Sequence, residues 1–172
     1  MRVKLLFFTA ICVLGIGCGG GGGGDSFVGA ARVSVSSSPS RIDTGDRTLV
    51  KVEISEIHEN GISLKIRFPT GLTYVSDTSF LTVGSTRFDV GPTVNRGDGT
   101  NIYLVYYFDS DTFGDGKRGT FVLELEGRSE VLEGMIEVDP DVDDLTIDNA
   151  DEFDIDSPEF RSESDTSIEV LD

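Results

Sequence analysis

Three tyrosines in one apolar run, Tyr103, Tyr106 and Tyr107 within IYLVYYF (residues 102–108), are the side chains of this sequence best suited to noncovalent recognition. Aromatic faces stack on other flat or apolar surfaces, sugar rings among them, so the trio forms a candidate ligand-binding platform. Two features compete with that reading. The chain has no Trp, and alternation along a strand must turn at least one of the three into a core.

A second cluster, Asp109, Asp111 and Asp115 in DSDTFGDG, puts oxygen donors at the first, third and seventh positions of a calcium-type loop, with Gly114 at the sixth. The pattern then stops: Phe113 is fifth, Lys117 ninth, and Thr120 stands at the twelfth, where the bidentate glutamate belongs. Weak Ca2+ binding is the most these residues support, and a hairpin turn rich in Asp and Gly explains them better. The acids Asp139, Asp141, Asp143 and Asp144 lack both the loop glycine and a spaced glutamate. Arg96-Gly97-Asp98 is an integrin-type tripeptide, but its Asn, Gly and Asp surroundings are also those of a tight hairpin.

Catalytic chemistry finds little to work with. The chain holds one histidine, His58, and two cysteines, Cys12 and Cys18, so metal clusters and nucleophilic triads lack their side chains. No spacing singles out a carboxylate pair for glycoside hydrolysis among 31 acids. The expectation is no catalytic residue and no enzyme. A net charge of −17 over 172 residues also sets the chain against nucleic acid and anionic lipid heads, whose binding needs clustered Lys and Arg.

The residues that must position these groups begin after a leader. Residues 1 to 17 place Arg2 and Lys4 ahead of an apolar run from Leu5 to Ile16, followed by small residues and Cys18. That is a signal-peptide layout. Its twelve apolar residues span about 18 Å as helix, against a bilayer core of about 30 Å, so a permanent span is not expected. Leu14-Gly15-Ile16-Gly17-Cys18 resembles the lipobox of bacterial lipoproteins, although Leu14 stands one position earlier than the family's leucine. The resemblance implies cleavage before Cys18, acylation of that cysteine with palmitate-type chains, and attachment to a membrane of the cell envelope, the outer membrane being favoured by Gly19. Six glycines, Gly19 to Gly24, open a tether through residue 30, whose reach as a flexible coil is about 20 Å.

From residue 31 the pattern becomes period two. Val50, Val52 and Ile54 alternate with Lys51, Glu53 and Ser55; Ile62, Leu64, Ile66 and Phe68 alternate with Ser63, Lys65 and Arg67; Phe121, Leu123 and Leu125 follow the same rule. Single glycines punctuate these runs as turns. About eight short strands over residues 31–138 predict an all-β, antiparallel two-sheet sandwich, Ig-like or cohesin-like, with Ile66, Phe68, Leu104, Phe121 and Leu123 in its core. The run GDRTLVKVEISEIHENGISLKIRFPTGLTYVS, residues 45–76, with its Pro69-Thr70-Gly71-Leu72 step, resembles the cohesin-like and carbohydrate-binding-module-like sandwiches of bacterial surface proteins. That resemblance implies a binding module.

Residues 137–172 carry 15 acids and Arg161 as the single base. Repulsion and few apolar residues predict an acidic tail over 139–172 that is mostly disordered or adds an edge strand, and whose removal leaves the domain stable. Together these readings describe an envelope lipoprotein held to the membrane by its N-terminal lipid, carrying a non-catalytic module for a protein or glycan. The alternatives are a structural lipoprotein that assembles envelope neighbours, and a carbohydrate-active enzyme.

Overall fold

A computed structural model describes residues 30–142 and 153–172. The leader, Cys18 and the glycine run lie outside the described residues, as do positions 143–152 of the acidic tail. Twelve strands form where the alternation falls: β1 (Arg32–Ser38), β2 (Arg41–Asp43), β3 (Arg47–Ser55), β4 (Ile62–Pro69), β5 (Leu72–Tyr74), β6 (Phe80–Val83), β7 (Thr86–Asp89), β8 (Val94–Gly97), β9 (Asn101–Phe108), β10 (Arg118–Gly127), β11 (Val131–Val142) and β12 (Ser164–Leu171). One 3-10 segment, Ser110–Gly116, joins β9 to β10.

The strands make two sheets. The first runs β1-β3-β10-β6-β7, with β5 also pairing β10; the second runs β2-β12-β11-β4-β9-β8. The pairs are antiparallel except for β2 with β12, which is parallel. Their inner faces meet in one core in which Ile66, Phe68, Leu104, Phe121 and Leu123 are all fully buried. The period-two alternation therefore fixed both the sandwich and its inward side chains.

Gly61 shows why some turns admit no other residue. Its φ is +90°, and a Cβ there would stand 2.5 Å from the Phe108 carbonyl oxygen, closing the approach of the β3–β4 connection to β9.

Two expectations change. Among the described residues the strands number twelve, eleven of them starting within residues 31–138 where about eight are expected, because strands of three or four residues such as β2, β5, β6 and β8 are too short to display alternation. The tail also differs from a mostly disordered segment or an added edge strand. β11 continues past residue 138 to Val142, and β12 is seated between β11 and β2, in the interior of the second sheet. Ile168 and Val170 face the core, 2% and 0% exposed, while Asp165 and Glu169 sit at alternating positions. Net charge counts carboxylates without regard to the face they occupy, and β12 keeps its acids on the outer one.

Candidate functional site

The outer face of the second sheet is laid out by strand register. Arg67 of β4 lies opposite Tyr103 of β9 and Glu137 of β11, and Tyr103 in turn lies opposite Arg96 of β8. These four residues form one cross-strand row. The next row is Val94, Val105, Lys65 and Asp139, and a third aligns Tyr107, Ser63 and Asp141. Residues on neighbouring strands at one register share a face within side-chain reach, which brings sequence-distant groups together.

The first two rows are wired internally, and Lys65 links the second to the third. The Arg67 guanidinium donates from Nε and Nη2 to the two Glu137 carboxylate oxygens, both at 2.8 Å, the bidentate geometry that suits arginine to carboxylate. Lys65 Nζ lies 2.9 Å from Asp139 Oδ2 and also bonds Asp141. The Tyr103 hydroxyl donates to Asp98 Oδ2 at 3.0 Å, and the backbone amides of Asn101 and Thr100 donate to Asp98 Oδ1 at 2.7 and 2.8 Å.

Residues 153–163 cross this face without pairing as a strand. The Glu159 carbonyl accepts from Lys65 Nζ at 2.6 Å, and the Arg161 amide donates to Asp139 Oδ2 at 2.6 Å. The Phe160 ring lies 4.3 Å from the Arg67 guanidinium carbon, and Phe153 and Phe160 pack against Tyr103 with ring centroids at 5.3 and 6.0 Å. Beside them a cavity of about 300 Å³ is lined by Arg96, Phe153, Asp154, Ile155 and Asp156. The segment converts an outer sheet face into a covered one: the Lys65 and Asp139 side chains are only 6% and 3% exposed.

Protonation follows from this burial. Desolvation works against the Lys65 charge, but its hydrogen bonds to Asp141 and Asp139 and their negative charges outweigh it and the pKa is raised. For Asp139, burial outweighs the ammonium and the Arg161 amide, and its carboxyl titrates above the ordinary aspartate value. Asp98 moves the other way, held down by the amides of Asn101 and Thr100.

The three tyrosines separate as strand alternation requires. Tyr103 and Tyr107 lie on the outer face, Tyr103 under the 153–163 segment. Tyr106 is in the core against Phe121, with ring centroids 4.5 Å apart, and its hydroxyl has no hydrogen-bond partner among the described residues. Burial pushes that phenol up. Tyr106 therefore does not join a ligand platform.

The Asp109–Asp115 segment winds as the 3-10 turn, with Phe113 plugging the core against Phe108. Lys117 reaches back, donating to the Ser110 hydroxyl at 3.0 Å and its carbonyl at 3.3 Å, so an ammonium already sits on the loop's oxygens. Among the described residues no group of three or more His, Cys, Asp or Glu is arranged to hold a metal ion, so Asp109, Asp111 and Asp115 are not brought together. In Arg96-Gly97-Asp98, the aspartate caps the β8–β9 turn. His58 Nδ1 accepts from the Asn60 amide at 3.1 Å, also within a turn.

Sequence reasoning did not single out Lys65, Arg67, Glu137 or Phe160. The available signal was the basic pair Lys65 and Arg67 at alternating positions of β4, matched by Glu137 and Asp139 at alternating positions of β11.

No protein-family model matches this sequence, and no curated protein matches it. Solved structures with a related fold include the N-terminal domain of a Streptococcus gordonii adhesin, 12% identical over 64% of this chain and 29% of that one, with a TM-score of 0.46. Another is AvmM, which catalyses macrocyclization in alchivemycin A biosynthesis: 9% identity, 84% and 90% coverage, TM-score 0.47. A non-cellulosomal cohesin from the archaeon Archaeoglobus fulgidus is 16% identical over 83% of this chain and 93% of that one, with a TM-score of 0.41.

Proposed function

We propose that this chain is a cell-envelope lipoprotein whose β-sandwich is a non-catalytic binding or adhesion module for a protein or glycan. The observation that carries the reading is the outer face of the second sheet, where Tyr103, Arg67 and Lys65 are held in fixed register. The carboxylates nearest them, Asp98, Glu137 and Asp139, are each engaged in hydrogen bonds or ion pairs within the protein. Such a surface suits contact better than proton transfer, which needs a carboxylate free to exchange its proton with a substrate. Anchoring rests on the lipobox-type leader, with acylation at Cys18 and more than one acyl chain giving a stable hold.

Two measurements test the reading. Detergent-phase partitioning of the full chain should disappear in C18A, and a wild-type chain that stays in the aqueous phase removes the anchor. Binding to an envelope protein or a glycan array should weaken at least tenfold in R67A. Product release from polysaccharide, abolished by one Asp or Glu substitution, would replace the binding module with an enzyme.

A second reading, a lipoprotein that assembles neighbouring envelope proteins, draws on the β11–β12 end of the same sheet. There Leu132 is 61% exposed beside a cavity of about 500 Å³ lined in part by Met135, Arg41 and Ile168. Stable co-purification with one envelope protein, lost in L132D, supports it.

A further inference from the structure

We propose that the outer face of the second sheet is a receptor for an acidic, phenylalanine-bearing peptide of a partner protein, and that residues 153–163 occupy it in cis as a displaceable strap. The inference deepens the binding reading by naming a partner class, and it rests on that reading.

The argument begins with what holds the strap. Its main chain makes three hydrogen bonds to the sheet, with Lys65 donating to the Glu159 carbonyl, the Arg161 amide to Asp139 and the Glu163 amide to the Val138 carbonyl, and the rings of Phe153 and Phe160 lie on Tyr103 and Arg67. No ladder of strand hydrogen bonds ties it down, whereas β12, which follows it directly, pairs on both sides. Local opening free energy rises with the number of such bonds, so the strap belongs to the low-stability end of the molecule.

What the strap would leave behind is equally informative. Without it, Lys65 keeps Asp139 and Asp141, Arg67 keeps Glu137, and Tyr103 keeps Asp98. The uncovered face is an internally paired polar surface around Tyr103, with the apolar Val94 and Val105 in its second row, so opening strands no buried charge without a partner. A solvent-compatible face that also fits an extended segment is a recognition surface rather than a core interface cut open.

The resident segment states the partner's chemistry. FDIDSPEFRSE, residues 153–163, sets one phenyl ring on the Arg67 guanidinium, a second beside Tyr103, and Asp154 and Asp156 in the cavity lined by Arg96. Ring-on-guanidinium contact, with carboxylates lining the same cavity as Arg96, is what a partner must reproduce. A second copy of the chain offers only the same segment, while the cis strap acts at an effective concentration in the millimolar range, so exchange between copies gains nothing. A partner peptide that makes the same contacts more strongly does gain.

The test uses the full chain and a fluorescein-labelled FDIDSPEFRSE peptide, read by fluorescence anisotropy. Wild-type chain should bind it weakly, F153A/F160A chain at least tenfold more tightly, and F153A/F160A/R67A chain again weakly. Equal binding by wild type and F153A/F160A overturns the inference, provided the variant keeps a cooperative thermal transition. If that variant fails to fold, hydrogen exchange on wild type decides. The Arg161 amide should exchange at least tenfold faster than the Ile168 and Val170 amides of β12, and equal rates overturn the strap. Wild-type self-association that free peptide reverses would assign the face to a second copy and overturn the partner. Glycan or envelope-protein capture by wild type, with no peptide binding by the variant, overturns this inference while the binding reading stands.

Discussion

The outer faces of the two sheets follow the same alternation and end in opposite environments. On the first sheet, Lys51 and Glu53 pair at 2.9 Å with side chains 44% and 63% exposed, and Arg47 meets Glu124 at 3.0 Å in a similar setting. On the second, Lys65 and Asp139 pair at the same 2.9 Å with 6% and 3% exposed. Distance does not distinguish these pairs; the covering segment does. A surface pair is worth about 0–1 kcal/mol because water screens it and solvates either partner alone. A buried pair has little net worth when intact but is costly to break, since the survivor is a charge without water.

The largest test of that difference removes the cover together with the strand that anchors it. Deleting residues 153–172 takes β12 out of the interior of the second sheet, with Ile168 and Val170, and should abolish cooperative thermal unfolding. A midpoint within a few degrees of wild type would return the tail to a dispensable segment. Next in size, K65A should cost about 3–5 kcal/mol in a urea titration by leaving Asp139 buried without its cation, against less than about 1 kcal/mol for K51A. Similar costs for the two would erase the contrast between the faces.

Y106F probes the inner face instead. It removes a buried hydroxyl that has no partner, so stability should hold or rise by about 1 kcal/mol, and a loss of that size would mean the hydroxyl is bonded. The smallest effect is in pH dependence. Asp139 titrates above its unfolded value in the folded chain, so its contribution is complete below about pH 4 and is lost as pH rises through the raised value. Asp98 has the opposite sign: its contribution is present above about pH 4 and is lost as pH falls through its depressed value. Stability of D139N relative to wild type should therefore improve as pH rises above about 4, and the deficit of D98N should shrink as pH falls below about 4. A pH-independent difference for D139N would place Asp139 in contact with water.

These contrasts mark what alternation can and cannot reveal. Period two gives the inward side chains of β3, β4, β9 and β10 directly, because facing the core is a property of one strand. It separates Tyr106 from Tyr103 and Tyr107 for the same reason. Whether an outward Lys65 meets water depends on a segment some ninety residues later, and nothing in ISLKIRFP reports it. The tail was obscured by its own charge: its apolar residues looked too sparse among the many acids to fold, but β12 needs only Ile168 and Val170 because β11 and β2 already supply its hydrogen-bonding edges. The calcium-like spacing from Asp109 onward dissolves once Phe113 turns inward, a packing event that donor spacing does not encode.

The parallel pairing of β2 with β12 bears on the order in which the molecule assembles. Thr44, just after β2, bonds the Leu171 carbonyl across 127 residues of sequence, and contacts of that separation are slow to form because a long loop must close before they return any energy. A ribosome makes β12 after both β2 and β11, so the slot between them stays open on the nascent chain until β12 emerges. A chain truncated before β12 carries an unfilled slot whose exposed strand edges invite pairing with a neighbour.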